Sequence, residues 1–210
     1  DVPDGVAEAI ERVQAEGAIV VAATGRSLST TGYVARAAGM HEYAVVSNGA
    51  MLVTIDPEAV VEAMTFDATD LLAELTALLP EATFAVERTD GVFLSTRHFV
   101  DRGVALDIRE VPYAALVEHP VVRVIVRSDD HVEEGLGPVV EHLHMHSIAF
   151  GVTDVAWLDL GIKGVTKATG LQVLCARLGV DASEVLAIGD SMNDIEMLQW
   201  AGTSVAMPHA

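Results

Sequence analysis

The chain of 210 residues is 51% hydrophobic, contains one cysteine and carries a formal net charge of −19. That length suffices to bury a core in one or two domains, and no apolar stretch approaches the ~18 residues of a membrane span. The acidity opposes binding to nucleic acid or to an anionic membrane surface, and a lone Cys175 excludes an internal disulfide.

The elements follow in chain order from the spacing of apolar residues. Val6, Ile10 and Val13 predict a first helix, with Asp4 as its N-cap and Gly17 just beyond its end. The β-branched run Ile19-Val20-Val21-Ala22-Ala23 reads as a buried parallel strand stopping at Thr24-Gly25-Arg26. A second helix, closed by Gly39, leads to a strand from Tyr43 to Val46, the turn Ser47-Asn48-Gly49-Ala50 and a short strand over Met51 to Thr54. The pattern then becomes an α+β mixture. Strands are expected at 60–66, 83–87, 92–96, 121–127 and 147–151, and helices at 67–79 (closed by Pro80) and 130–143. From about residue 155 the strand–helix alternation returns. Thr166 caps a helix whose Leu171, Leu174, Cys175 and Leu178 recur at helical spacing up to Gly179. Strand Val185-Leu186-Ala187-Ile188, a helix over about 193–201 and the apolar run Val205-Ala206-Met207 complete the chain. The fold class predicted is α/β: a doubly wound, Rossmann-like parallel sheet built from residues 1–54 and 155–210, interrupted by an α+β domain over 55–154.

Chemistry-bearing residues gather at three ends of these elements. Gly189-Asp190-Ser191-Met192-Asn193-Asp194 closes one apolar strand and opens a helix. Two carboxylates and a carboxamide therefore stand at the carboxyl end of a parallel strand, where open α/β sheets hold their ligands. Asp190 offers the hard oxygen that Mg²⁺ takes through one or two carboxylates plus phosphate. By itself the motif also reads as a helix-capping loop, since Asp and Asn are favoured caps. Thr24 and Gly25 supply a hydroxyl and a backbone N–H to a phosphate oxygen, and Gly25 permits close approach of the backbone. The only two lysines are Lys163 and Lys167. Lys167 falls in the first turn of its helix, where the dipole disfavours a cation and favours an anion, so it makes sense beside an anionic ligand. Lys163 reads as a solvated surface residue.

In this order and spacing, these motifs resemble those of the haloacid dehalogenase superfamily and, more narrowly, of the Cof-type sugar-phosphate phosphatases. The resemblance takes in Ser47-Asn48-Gly49-Ala50 and Val205-Ala206-Met207 and spans nearly the whole chain. It implies a cytoplasmic, Mg²⁺-dependent phosphomonoester hydrolase acting on small phosphorylated metabolites such as sugar phosphates, through an aspartyl-phosphate intermediate. On this resemblance Asp190 is the metal ligand, and Asp194 orients Lys167 or a metal-bound water. Thr24, Gly25 and Lys167 hold phosphoryl oxygens; Asn48 and Asn193 add polar contacts near the phosphate or leaving group; Arg26 lies on the substrate side of the cleft. The inserted domain becomes a cap over the phosphate site that sets specificity. No nucleic-acid or membrane partner is expected, and the assembly expected is a monomer or weak homodimer.

One family motif is missing. Members carry Asp-x-Asp-Gly-Thr on the first strand, with the nucleophile as its first Asp and the general acid/base as its second. Here Asp4-Gly5 matches only the end of it, with Val2 at the nucleophile position and Val6 at that of the Thr. A sheet lacking that central strand would leave two rows of backbone groups unpaired. The expectation is therefore a piece of a longer enzyme, itself inactive. Two alternatives stay open: a phosphomutase similar to the phosphomannomutases, and a non-catalytic phosphosugar-binding protein if the nucleophile is truly absent.

Three further groups carry weaker signals. His142, His144 and His146 share a spacing of two, but the segment is expected to run from helix into strand without accompanying acidic or Cys ligands, which argues against a metal site. Arg97-His98 and Asp101-Arg102 are expected in a loop that either reads substrate or is simply solvated. Arg123 and Arg127 alternate with Val122, Val124 and Val126, which predicts the exposed face of a half-buried strand.

Overall fold

The structure is a computed structural model; the residues described are 2–97, 108–130, 136, 143, 145–152 and 155–210. They form two units, one of residues 1–63 and 165–210 and the other of 64–164.

In the first unit, helix α1 (Val6–Ala15) precedes the two-residue strand β1 (Ala22–Ala23), helix α2 (Leu28–Ala37) and strand β2 (Tyr43–Val46). Strands β3 (Met51–Thr54) and β4 (Ala59–Ala63) follow, giving a sheet in the order β1-β2-β3-β4. The β1–β2 pair is parallel, with Ala22 opposite Ala44, and the other two pairs are antiparallel. The cap of α1 is Gly5, at φ 81, not Asp4 as expected. Gly17 and Gly39, at φ 91 and 78, follow α1 and α2, a backbone conformation open to glycine without steric cost.

The second unit holds helix α3 (Thr69–Leu78) and strands β5 (Thr83–Glu87), β6 (Phe93–Ser95) and β7 (Ile108–Glu110). Helix α4 (Tyr113–Leu116) and strands β8 (Arg123–Ser128), β9 (His146–Val152) and β10 (Val155–Gly161) complete it. The six strands lie in the order β7-β6-β5-β8-β10-β9. Alternation along them sends Phe84, Val86, Val124, Val126, Leu158 and Leu160 to one face, where they pack with Leu72 and Leu75 of α3. Ala85, Phe93 and Ile125 cluster separately with Ile108 and Trp157.

The chain returns to the first unit with helix α5 (Lys167–Leu178), strand β11 (Leu186–Gly189), helix α6 (Ile195–Trp200) and strand β12 (Thr203–Ala206). β11 and β12 are parallel, with Leu186 opposite Thr203. Val45, Leu52, Leu171, Leu174, Ala187 and Met197 form the core that joins α5 and α6 to both sets of strands. The α/β class with parallel pairs is as expected. Among the described residues, however, β1 is bonded only to β2 and β11 only to β12, so the strands stand in two sheets instead of one. The exposed Leu186 and Ile188 lie on the second.

The boundaries expected at 54/55 and 154/155 need correcting, because backbone ladders decide membership. β4 pairs with β3, which brings residues up to 63 into the first unit. β10 pairs with β8 and β9, so the first unit resumes only at Val165. The helix expected over 130–143 lies largely outside the described residues, as do His98, Asp101, Arg102, His142 and His144. No helix among the described residues is long and apolar enough to cross a membrane.

Arg123 also departs from expectation: it is 6% exposed. Its Nε lies 2.6 Å from Glu87 Oε2 and its Nη1 donates to Asp159 Oδ2 at 2.6 Å. The guanidinium sits 5.6 Å from the centre of the Phe93 ring, and Trp157 Nε1 donates to the other oxygen of Asp159 at 2.8 Å. Alternation with valines predicted one polar face; that face is buried too, and its charges are matched within it. Arg127 is half-buried and pairs with Asp129 at 2.9 Å.

Candidate functional site

The site is built on three chain turns of the first unit. The first ends β1. Thr24 N–H donates to Val45 O at 2.9 Å, extending the parallel pairing one residue, and the Thr24 hydroxyl oxygen accepts from Arg26 N–H at 3.1 Å. Thr24 and Gly25 are half-buried, whereas Arg26 is exposed and no described residue pairs with its guanidinium.

The second turn ends β2. Ser47 and Asn48 both adopt positive φ, 50 and 55, and Gly49 follows at 100. Two successive non-glycine residues in the left-handed region mark stored strain. The turn is tied to the first one, since Ser47 N–H donates to Arg26 O at 2.8 Å and Asn48 N–H to Thr24 O at 3.0 Å. It also lies against the start of α5: a Cβ on Gly49 would stand 1.8 Å from Thr166 O. Any side chain at this glycine would push the helix away.

Thr166 caps α5 in a reciprocal capping box with Thr169, which fixes Lys167 as the first helical residue. Lys167 is 6% exposed. Its Nζ donates to Asp194 Oδ1 at 2.6 Å, and Asp194 is itself 4% exposed. A cation at a helix N-terminus is disfavoured by the dipole, so the pairing supplies what the helix end does not. Lys163, by contrast, is exposed in the preceding turn.

The third turn follows β11. Ser191 and Asp194 cap a 3₁₀ turn, Met192–Asp194, before α6 begins at Ile195. Asp194 Oδ2 accepts from the backbone N–H groups of Asp190 (3.1 Å) and Ser191 (3.0 Å). Both Asp194 oxygens are thus engaged by protein, and a Cβ on Gly189 would stand 2.5 Å from its Cβ. Asp190 differs: its side chain is 60% exposed, and its only described partner is His209, 3.7 Å away and also exposed. Asn193 Nδ2 donates to Asn48 Oδ1 at 3.0 Å, joining the second and third turns across 145 residues of sequence.

Hydrogen bonds therefore join Thr24, Asn48 and Asn193 in one set and Lys167, Asp194 and the backbone of Asp190 in another, the two meeting at the adjacent residues Asn193 and Asp194, while Gly25 lies against the Asn48 carboxamide. Arg26 is joined through its backbone alone. Two members escaped the sequence reading. Ser191 as a cap was legible from Ser-x-x-Asp; His209 had no signal, as nothing local links it to Asp190. No group of three or more His, Cys, Asp or Glu able to hold a metal occurs among the described residues. The exposed Asp190 carboxylate alone fits the mode in which Mg²⁺ takes one or two carboxylates and completes its shell with water and phosphate.

A sequence profile described as haloacid dehalogenase-like hydrolase matches residues 1–210, and the chain belongs to that family. It is 29% identical over 202 residues to a phosphoglycolate phosphatase of Methanopyrus kandleri, covering 96% of this chain and 74% of the relative. A 5-amino-6-(5-phospho-D-ribitylamino)uracil phosphatase of Escherichia coli is 42% identical over 79 residues, 38% of this chain and 26% of the relative. A solved phosphatase of the superfamily from Bacteroides thetaiotaomicron superposes with a TM-score of 0.77 at 26% identity, covering all of this chain and 78% of that one. The chain spans between about a quarter and two thirds of the length of the first three curated relatives, 63%, 44% and 26%.

Proposed function

We propose, from membership of the haloacid dehalogenase-like hydrolases and from the bonded network of the three turns, that the protein hydrolyses phosphomonoesters of small metabolites such as sugar phosphates. The observation that carries the reading is the buried Lys167–Asp194 pair at the carboxyl ends of parallel strands. A lysine ammonium has three donors. One is held by Asp194, which fixes the direction of the other two and keeps the cation ready for a phosphoryl oxygen. Thr24 adds a hydroxyl whose oxygen already accepts from Arg26 N–H, so its hydrogen is directed elsewhere.

Phosphoryl transfer needs little covalent help and much positioning and charge neutralisation. Lys167 neutralises charge on the transferred group, Thr24 and the Gly25 backbone orient it, and Asn193 offers its carboxamide at the rim. Asp190 would hold Mg²⁺, whose chemistry when bound is to neutralise phosphate charge in a chain of net charge −19. Transfer by way of an aspartyl-phosphate needs a carboxylate facing phosphorus. Asp194 is committed to Lys167 and two N–H groups, and Asp190 to the metal, so neither takes that part. The second unit would act as the cap that selects the leaving group, and the setting expected is the cytoplasm.

The test is turnover of p-nitrophenyl phosphate by the full-length protein, comparing Lys167→Met with Lys163→Met. Loss confined to Lys167→Met is the expected result, and equal kinetics for both would overturn the phosphate-site assignment. A second reading, non-catalytic phosphosugar binding, applies only if the full-length protein carries no Asp-x-Asp-Gly-Thr. Saturable binding of a sugar phosphate with no release of inorganic phosphate would select it.

A further inference from the structure

We infer that Asn48 acts on the site only through Asn193, and that residue 25 is a glycine to make room for the Asn48 carboxamide. This rests on the phosphoryl-transfer reading of the site. The family resemblance suggested Asn48 as a contact to phosphate or leaving group; the geometry points elsewhere.

Three observations converge on Asn48. It is 7% exposed, so its carboxamide is enclosed by protein groups. Its Oδ1 accepts from Asn193 Nδ2 at 3.0 Å, while its backbone N–H is held by Thr24 O at 3.0 Å. A Cβ built on Gly25 would lie 2.8 Å from Asn48 Oδ1, 3.3 Å from its Nδ2 and 3.4 Å from its Cγ. The carboxamide thus fills the space a side chain at position 25 would occupy. Gly25 has no positive φ, so its backbone does not demand glycine; the need is steric.

The strained conformation explains the residue type. Only Asn, Asp and Gly visit φ near 55° at modest cost, and among these only Asn and Asp carry the acceptor that Asn193 needs. Asp would add a further negative charge to a cluster that already holds Asp190 and Asp194. Asn48 is therefore a positioning residue. It clamps the loop 190–194 to the turn that ends β1, and so sets where Asn193 and Asp190 stand relative to Thr24 and Lys167.

The inference predicts suppression between sites. In the full-length protein, Gly25→Ala should push the Asn48 carboxamide out of place and lower kcat for p-nitrophenyl phosphate about tenfold, with KM changed less than threefold. Asn48→Gly, which keeps the backbone conformation and removes the side chain, should lower kcat to a similar extent. The double variant Gly25→Ala/Asn48→Gly should be no worse than Asn48→Gly alone, because the added methyl now has space. Asn48→Gly should likewise add less than twofold to the loss in Asn193→Ala. Additive losses in either pair would overturn the inference: the first would mean that Gly25 serves close approach of a ligand, the second that Asn48 touches the ligand itself. Thermal melting of each variant excludes unfolding as the source of a loss. Lys167→Met separates the two levels of argument. If Lys167→Met is inactive and the losses add, only the clamp fails; if Lys167→Met retains full turnover, the reading of the site fails first.

Discussion

Two buried ion clusters, one in each unit, use the same chemistry to different ends. In the second unit Arg123 lies between Glu87 and Asp159, over Phe93, with Trp157 donating to the remaining oxygen of Asp159. Burial alone would depress the pKa of Arg123, but the two carboxylates outweigh it and raise the value. A planar guanidinium suits this role because its donors form a rigid fork that meets two carboxylates at once. The cluster stitches three adjacent strands, β5, β8 and β10. In the first unit Lys167 meets a single carboxylate, and the partner Asp194 is satisfied by backbone N–H groups. A lysine placed so keeps donors for something else. The lesson is that burial of an ion pair does not identify a site; the donors left over after pairing do.

The largest effect that would break this comparison is at Arg123. Arg123→Met leaves two buried carboxylates without their cation and should destabilise the second unit by about 3–5 kcal/mol, read by urea unfolding. A loss below about 1 kcal/mol would mean that the cluster is solvated and not buried.

Next is Lys167→Met. The residue is buried and some destabilisation is expected, but the signature is functional. Turnover, kcat/KM, should fall by two or more orders of magnitude, which corresponds to about 3 kcal/mol or more, while Lys163→Met stays near wild type. If Lys167→Met instead unfolds the protein and a refolding variant such as Lys167→Arg recovers full turnover, the two clusters are alike and the distinction fails.

Asp190→Asn sharpens the contrast from the other side. Its side chain is 60% exposed, so unfolding should change by no more than about 0.5 kcal/mol. Activity at limiting Mg²⁺ should nonetheless be lost. A folded Asp190→Asn protein with near-normal turnover would remove the metal role.

The smallest effect expected is at an exposed cap. Asp181 accepts from the hydroxyl and backbone N–H of Ser183, at 2.7 and 2.9 Å, and these bonds hold its carboxyl below the ordinary carboxylate range. A lowered folded-state pKa gives stability that is present above the unfolded value, near pH 4, and lost as pH falls through the folded value. The Tm difference between wild type and Asp181→Ala should thus be small at neutral pH and close further as pH falls below about 4. A gap that widens in acid would contradict the sign.

Much of the first unit was legible because its signals are local. Thr166 as a cap, the glycines past α1 and α2, and the turns ending in Thr24-Gly25 and Gly189-Asp190 each follow from conformational preferences of a few residues. The second unit was read less well. Strand β10 was assigned to the wrong half, because alternation along a strand states that it has two faces but not which sheet it joins. The short strand β7 and helix α4 span three and four residues, too few for a period to show.

By itself the sequence determined the residue types of the site and the order in which strand ends present them, since capping, turn and helical-spacing rules act over a handful of residues. Only the tertiary structure decided the pairings. It placed Lys167 on Asp194 across 27 residues and Asn193 on Asn48 across 145. It turned Arg123 from an expected surface residue into the centre of a buried cluster. The physical reason is that the free energy of a charge depends on which groups surround it at a few ångströms, and those neighbours come from chain segments whose approach no local pattern encodes.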